Sequence, residues 1–131
     1  MTTLVLDTGA LIALDRGDRR VWSKFRLAVG ESHTVQVPTP ALAQAWRGGN
    51  RQARLANALK GAREVPLDSQ AARRAGVLCG ETDTADIVDA SVVVAAIEAE
   101  HEGAVEVLTS DGGDLRHLLI AVNSSARVVN V

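Results

Sequence analysis

Apolar residues in this chain fall into short β-type runs separated by stretches of helical periodicity. The strand candidates are Thr3–Leu6, Thr34–Val37, Glu64–Val65, Glu106–Thr109 and Arg127–Val131. Between them the pattern predicts helices at Gly9–Leu14, Arg20–Ala28, Pro40–Arg47, Arg51–Leu59, Ser69–Leu78, Asp86–Glu100 and Leu115–Ala121. Strands alternating with helices predict a parallel sheet covered on both faces. The expectation is an α/β fold, a three-layer α/β/α sandwich around a central, mostly parallel five-stranded sheet. Pro38 and Pro40 suit a strand end and a first helical turn, with Thr39 as the expected N-cap. Gly48-Gly49 and Gly61 mark helix stops.

The stretch after Asp86 has almost no polar face: Val88, Ala90, Val92, Val93, Val94, Ala95, Ala96 and Ile97 cover every side. Such a helix belongs at the centre of the fold, where burial overrides the weak helix propensity of its valines.

Four aspartates adjoin these apolar runs. Asp7 closes Leu4-Val5-Leu6, Asp111 closes Val105–Ser110, and Asp86 and Asp89 open the run from Ile87 to Ile97. In an open α/β sheet the carboxyl ends of the strands line the ligand crevice. Carboxylates gathered there repel one another and are costly to desolvate unless a cation or a proton joins them. A hard divalent metal is the natural partner, so the chain reads as a metal-dependent enzyme. Asp86 has a second reading, as an acid in the first turn that favours the helix dipole. Asp114 likewise suits the N-cap of Leu115–Ala121. Gly112-Gly113 would let a phosphate backbone approach closely.

Composition narrows the picture. With 131 residues and 47% hydrophobic content, the chain is a single domain, 1–131, with an aliphatic core, since only 2% of residues are aromatic. Cys79 is the sole cysteine, which excludes an internal disulfide or a cysteine zinc site. The start of the chain lacks a basic region and carries Asp7 within its apolar run, unlike a signal peptide. The run Val92–Ile97 falls far short of a membrane span. A soluble, cytoplasmic protein is expected.

The net charge of −2 hides an asymmetry: residues 1–75 hold 12 Lys and Arg against 6 Asp and Glu, and residues 76–131 hold 2 against 10. The halves carry +6 and −8, which fits either a polyanion-facing surface beside a metal site or two solvated faces. His33, His101 and His117 are scattered and form no constellation. With Phe25, Trp22 and Trp46 as the only aromatics, a stacking platform for single-stranded RNA is not expected. Arg47, Arg51 and Arg54 recur at helical spacing, as phosphate-backbone contacts or as a solvated helix face.

Together, the runs Leu4-Val5-Leu6-Asp7-Thr8, Asp89-Ala90-Ser91-Val92-Val93 and Leu108-Thr109-Ser110-Asp111 resemble the PIN-domain ribonucleases, and among them the VapC-type toxins of prokaryotic toxin–antitoxin modules. The resemblance runs almost end to end and keeps order and spacing. It implies a PIN-like α/β/α sandwich, Mg²⁺ or Mn²⁺ held by Asp7, Asp89 and Asp111, and hydrolysis of RNA. Asp86 is a further candidate ligand, with Thr8, Ser110 and Asp114 in support. It also implies a homodimer and a cognate antitoxin that blocks the site.

One position departs from the family pattern. Where the family usually carries a glutamate on the helix after the second strand, Pro40–Arg47 offers Gln44. Its amide can give a carbonyl oxygen or orient a water but brings no charge. Asp86 or Asp114 could supply the deficit; the alternative is a non-catalytic PIN-like binding protein. Two other classes fail on residues. A phosphoacceptor receiver needs an acid pair after the first strand and a late lysine, whereas Asp7 stands alone and the lysines are Lys24 and Lys60. A haloacid-type phosphohydrolase needs an aspartate where this chain has Gly9.

Overall fold

In the computed structural model, which describes residues 2–84, 86–110 and 112–131, β1 (Thr2–Leu6) is the middle strand of the sheet. Thr3, Leu4, Val5 and Leu6 are all buried, as a strand covered on both faces requires. β1 pairs in parallel with β2 (Thr34–Pro38) on one side and β4 (Ala104–Thr109) on the other. β3 (Arg63–Val65) and β5 (Arg127–Asn130) form the edges, also parallel. The order is β3-β2-β1-β4-β5, so the five-stranded sheet is parallel throughout.

Seven α-helices flank it among the described residues: α1 (Thr8–Asp15), α2 (Arg19–Gly30), α3 (Thr39–Ala45), α4 (Ala53–Leu59), α5 (Ser69–Thr82), α6 (Ile87–Glu100) and α7 (Gly112–Ala121). The chain steps outward from β1 to β3, then returns to the far side of β1 for β4 and β5. Right-handed crossovers therefore place α1–α4 on one face and α5–α7 on the other. Within each set, α1 touches α2, α3 and α4, and α6 touches α5 and α7; α6 also packs on strands β1, β2 and β4 and reaches α3 of the other set.

α6 is the central helix that its composition predicts, with Ala90, Ser91, Val92, Val93, Val94, Ala95, Ala96 and Ala99 buried. The Ser91 hydroxyl donates to Val88 O at 2.6 Å, which satisfies it without a partner outside the helix. At the far end, Glu100 Oε1 accepts from Ser124 Oγ at 2.5 Å and Ser125 N at 2.8 Å, fixing α6 to the approach to β5.

Two expected caps differ. Pro38, not Thr39, precedes α3, and no side chain caps it. Thr39 is already helical, and its hydroxyl instead accepts from Leu67 N at 3.2 Å. α7 begins at Gly112, which puts Asp114 inside the first turn rather than at the cap. The end of α3 is closed by a residue without a sequence signal: buried Gln52 donates to Ala45 O at 2.8 Å and accepts from the N–H groups of Arg47 and Gly48.

Candidate active site at the carboxyl ends of the strands

The order β3-β2-β1-β4-β5 reverses direction between β1 and β4, and in such sheets the crevice outside the carboxyl ends of the two strands is where ligands bind. Asp7 is the first residue beyond β1. Its N–H donates to Leu108 O at 3.1 Å, and its Oδ1 accepts from Ala10 N at 2.9 Å as the N-cap of α1. Strand and helix thus fix it from both sides, with its residue only 6% exposed.

Gly9 makes this corner possible. A Cβ at position 9 would lie 2.7 Å from Ser110 Cβ and 3.1 Å from Ser110 N, so only glycine lets the first turn of α1 press against the end of β4. Ser110 is exposed beside that contact.

Asp89 enters from α6. Asp86 caps that helix, its Oδ1 accepting from Asp89 N at 3.0 Å, and its own N–H donates to Thr84 Oγ1 at 3.2 Å. The half-buried Asp89 carboxyl is pushed up from 3.8 to about 7. Burial is the largest cause, followed by the charge of Asp86, the charge of Asp7, a hydrogen bond with Asp86 and the charge of Asp114. Asp86, Asp7 and Asp114 thus all bear on Asp89, though the four acids come from three separate segments of chain.

Gln44 projects from α3 toward the same corner. The Thr8 hydroxyl at the start of α1 donates to Gln44 Oε1 at 2.8 Å and lies 3.4 Å from Ala41 O. Gln44 itself is exposed. Among the described residues, no three His, Cys, Asp or Glu side chains stand close enough together to hold one metal ion. Asp111, the acid expected beside Asp7 on β4, lies outside the described residues. A cation nevertheless fits the chemistry, because positive charge would offset both the burial and the neighbouring carboxylates that raise Asp89 to about 7.

No family model matches the chain, and no curated protein matches it in sequence. Among solved structures, one chain in the crystal structure of VapBC2 from Rickettsia felis bound to a DNA fragment from their promoter superposes with a TM-score of 0.67. It covers 100% of this chain and 99% of its own, at 14% sequence identity. The likeness is one of fold. It agrees with the α/β architecture read from the sequence, and with the order of its elements.

The three arginines at helical spacing do not form one face. Arg47 lies beyond α3 and turns its Nη1 onto Trp46 O at 2.8 Å and Ala43 O at 3.3 Å. Arg51 belongs to a short 3-10 turn, Asn50–Gln52, and only Arg54 sits on α4. Gly113 is open, with nothing within 4 Å of where a Cβ would stand. No helix among the described residues is long and apolar enough to cross a membrane.

Proposed function

We propose that this chain is a metal-dependent ribonuclease, the toxin of a type II toxin–antitoxin pair. The observation that carries the reading is Asp89: a helix-borne carboxyl raised to about 7 by burial and by Asp86, Asp7 and Asp114, beside the switch point of a parallel sheet. A site that keeps acids together at this cost is built for positive charge. Asp7, Asp89 and Asp111 would hold Mg²⁺ or Mn²⁺, with Asp86 as a further candidate whose Oδ1 also caps α6. A divalent ion there would polarise the scissile phosphate, activate a water and shield the leaving oxygen.

The remaining work falls to the chain's own groups. Asp7, fixed by β1 and α1, sets the position of the crevice floor. Thr8 orients Gln44 by donating to its carbonyl oxygen, which turns the amide NH₂ away from Thr8 as a donor for a phosphate oxygen or a water. Ser110 and Asp114 stand at the rim as polar supports. RNA as substrate and an antitoxin as partner are supported by the sequence resemblance and by the fold likeness to a chain of the VapBC2 complex. An antitoxin arginine paired with two of these carboxylates would replace the charge of the metal. A homodimer in the cytoplasm follows from the same resemblance.

Incubating the purified chain with RNA and Mn²⁺ or Mg²⁺, with and without chelator, tests the reading. Cleavage that the chelator stops and Asp7→Asn removes supports the enzyme. RNA left intact under every metal condition favours the non-catalytic binding protein, for which Gln44 in place of an acid is the motivating observation.

A further inference from the structure

α2 opens on two cations, Arg19 and Arg20, with no acid in its first turn. This is the wrong sign for a helix N-terminus, whose dipole favours negative charge. Asp18 caps the helix by accepting from Val21 N at 3.0 Å, which commits one carboxylate oxygen to the backbone. The helix thus starts with a local electrostatic cost that the Asp18 carboxylate only partly offsets.

The cost is concentrated in one place. Arg19, Trp22 and Arg26 of α2 face Arg54 and Asn57 of α4 across a cleft of about 520 Å³, with Ser23 on its wall and Gly17 at its edge. Among the described residues, no carboxylate lines it. Gly17 has φ +75, and a Cβ there would stand 3.1 Å from Arg54 Nε, so the guanidinium lies directly over that turn. Trp22 is held rigid: its indole Nε1 donates to Leu14 O at 2.9 Å, and Phe25 meets it edge-on at 5.6 Å. Arg26 Cζ sits 5.0 Å from the centroid of the same indole. A guanidinium over a ring keeps its N–H edges directed outward, where they can take a phosphate bidentately. Elsewhere on α2, Lys24 pairs with Glu106 at 3.2 Å. Among the described residues, none of the ion pairs includes Arg19, Arg26 or Arg54.

We propose that this arginine–tryptophan cleft between α2 and α4 is a second phosphate-binding site that seats the backbone of the RNA strand away from the acidic crevice. The identity of the polymer rests on the ribonuclease reading; the cleft's anion chemistry does not. α1 joins the two places, with Thr8 at the crevice and Leu14 against Trp22. Eight helical residues span about 12 Å, a reach that a single strand covers in a few nucleotides. An acidic crevice repels RNA, and a separate cationic seat offsets that repulsion while leaving the carboxylates to the metal.

The test is fluorescence anisotropy with a labelled single-stranded RNA in chelator, so that binding is read apart from cleavage. Across a salt series, log affinity should fall with log salt, and Arg26→Ala/Arg54→Ala should flatten that slope by roughly 0.7 for each lost phosphate contact. Asn57→Asp, an exposed change that puts a negative charge in the cleft, should weaken binding at low salt and leave the melting temperature unchanged. A wild-type slope in Arg26→Ala/Arg54→Ala, or wild-type low-salt affinity in Asn57→Asp, would overturn the proposal. Cleft-dependent binding without cleavage in Mn²⁺ would keep the seat and refute the ribonuclease reading. Cleavage with cleft-independent binding would do the reverse.

Discussion

The Thr8 hydroxyl donates to Gln44 Oε1 at 2.8 Å, linking the first turn of α1 to the end of α3 beside the carboxylates. Position 44 therefore lies against Thr8, the residue after Asp7, and a charge introduced there would act on the same corner. Gln44→Glu should keep the hydrogen bond, since a carboxylate also accepts. It should tighten Mn²⁺ or Mg²⁺ binding by about 1 kcal/mol, the low value suited to an exposed position. Without metal the added charge should lower the melting temperature. Calorimetric titration and thermal unfolding measure the two effects; equal affinity and equal stability would place Gln44 outside the site's field.

Asp89 gives the metal-free protein a pH dependence of definite sign. Its carboxyl is raised from 3.8 to about 7, so the folded chain holds a proton that the unfolded chain releases. This group's contribution is most favourable below about pH 4, declines as pH rises through about 7, and is flat above. Asp89→Asn should remove that decline and make the protein more stable than wild type at pH 8. Urea unfolding at a series of pH values reads it, and an Asp89→Asn curve parallel to wild type would show that other groups set the slope.

Gly9→Ala should destabilise by roughly 1–3 kcal/mol, the range for overpacking a tight contact, because the new methyl meets Ser110 Cβ and backbone. Ser110→Ala leaves the Cβ in place and should cost much less. Chemical denaturation of both variants decides it; an unaffected Gly9→Ala protein would mean that the α1–β4 corner yields easily.

Asp7→Asn should abolish cleavage yet spare the fold, since asparagine caps a helix about as well as aspartate. Asp7→Ala loses the bond to Ala10 N as well and should cost about 1 kcal/mol of stability. A cleavage assay beside a melting curve separates the two roles. Full activity in Asp7→Asn would remove this residue from the chemistry.

Much of this was legible in the chain. Leu4-Val5-Leu6 is an unbroken apolar run because β1 is covered on both faces, and Val92, Val93 and Val94 of α6 tolerate a helix because they are buried. Asp7 and Asp89 could be singled out because each breaks such a run with a charge. The errors fall where a side chain had more than one partner available. Thr39 looked like a cap, but Leu67 from a distant segment takes its hydroxyl. Arg47, Arg51 and Arg54 recur at helical spacing, but the turn at Asn50–Gln52 separates them, and Arg54 lines a cleft with Arg19 and Arg26. That cleft has no sequence signal, because α2 and α4 are brought together only by tertiary packing.

The central claim is that acids held together at the switch point take a divalent cation. Calorimetric titration of the purified chain with Mn²⁺ at pH 6, repeated in buffers of different ionisation enthalpy, counts the protons released on binding. With the Asp89 carboxyl at about 7, binding should expel close to one proton at pH 6 and far less at pH 8, and Asp89→Asn should lose both the proton and most of the affinity. Absence of Mn²⁺ binding, or binding with no proton release that Asp89→Asn leaves unchanged, would contradict it.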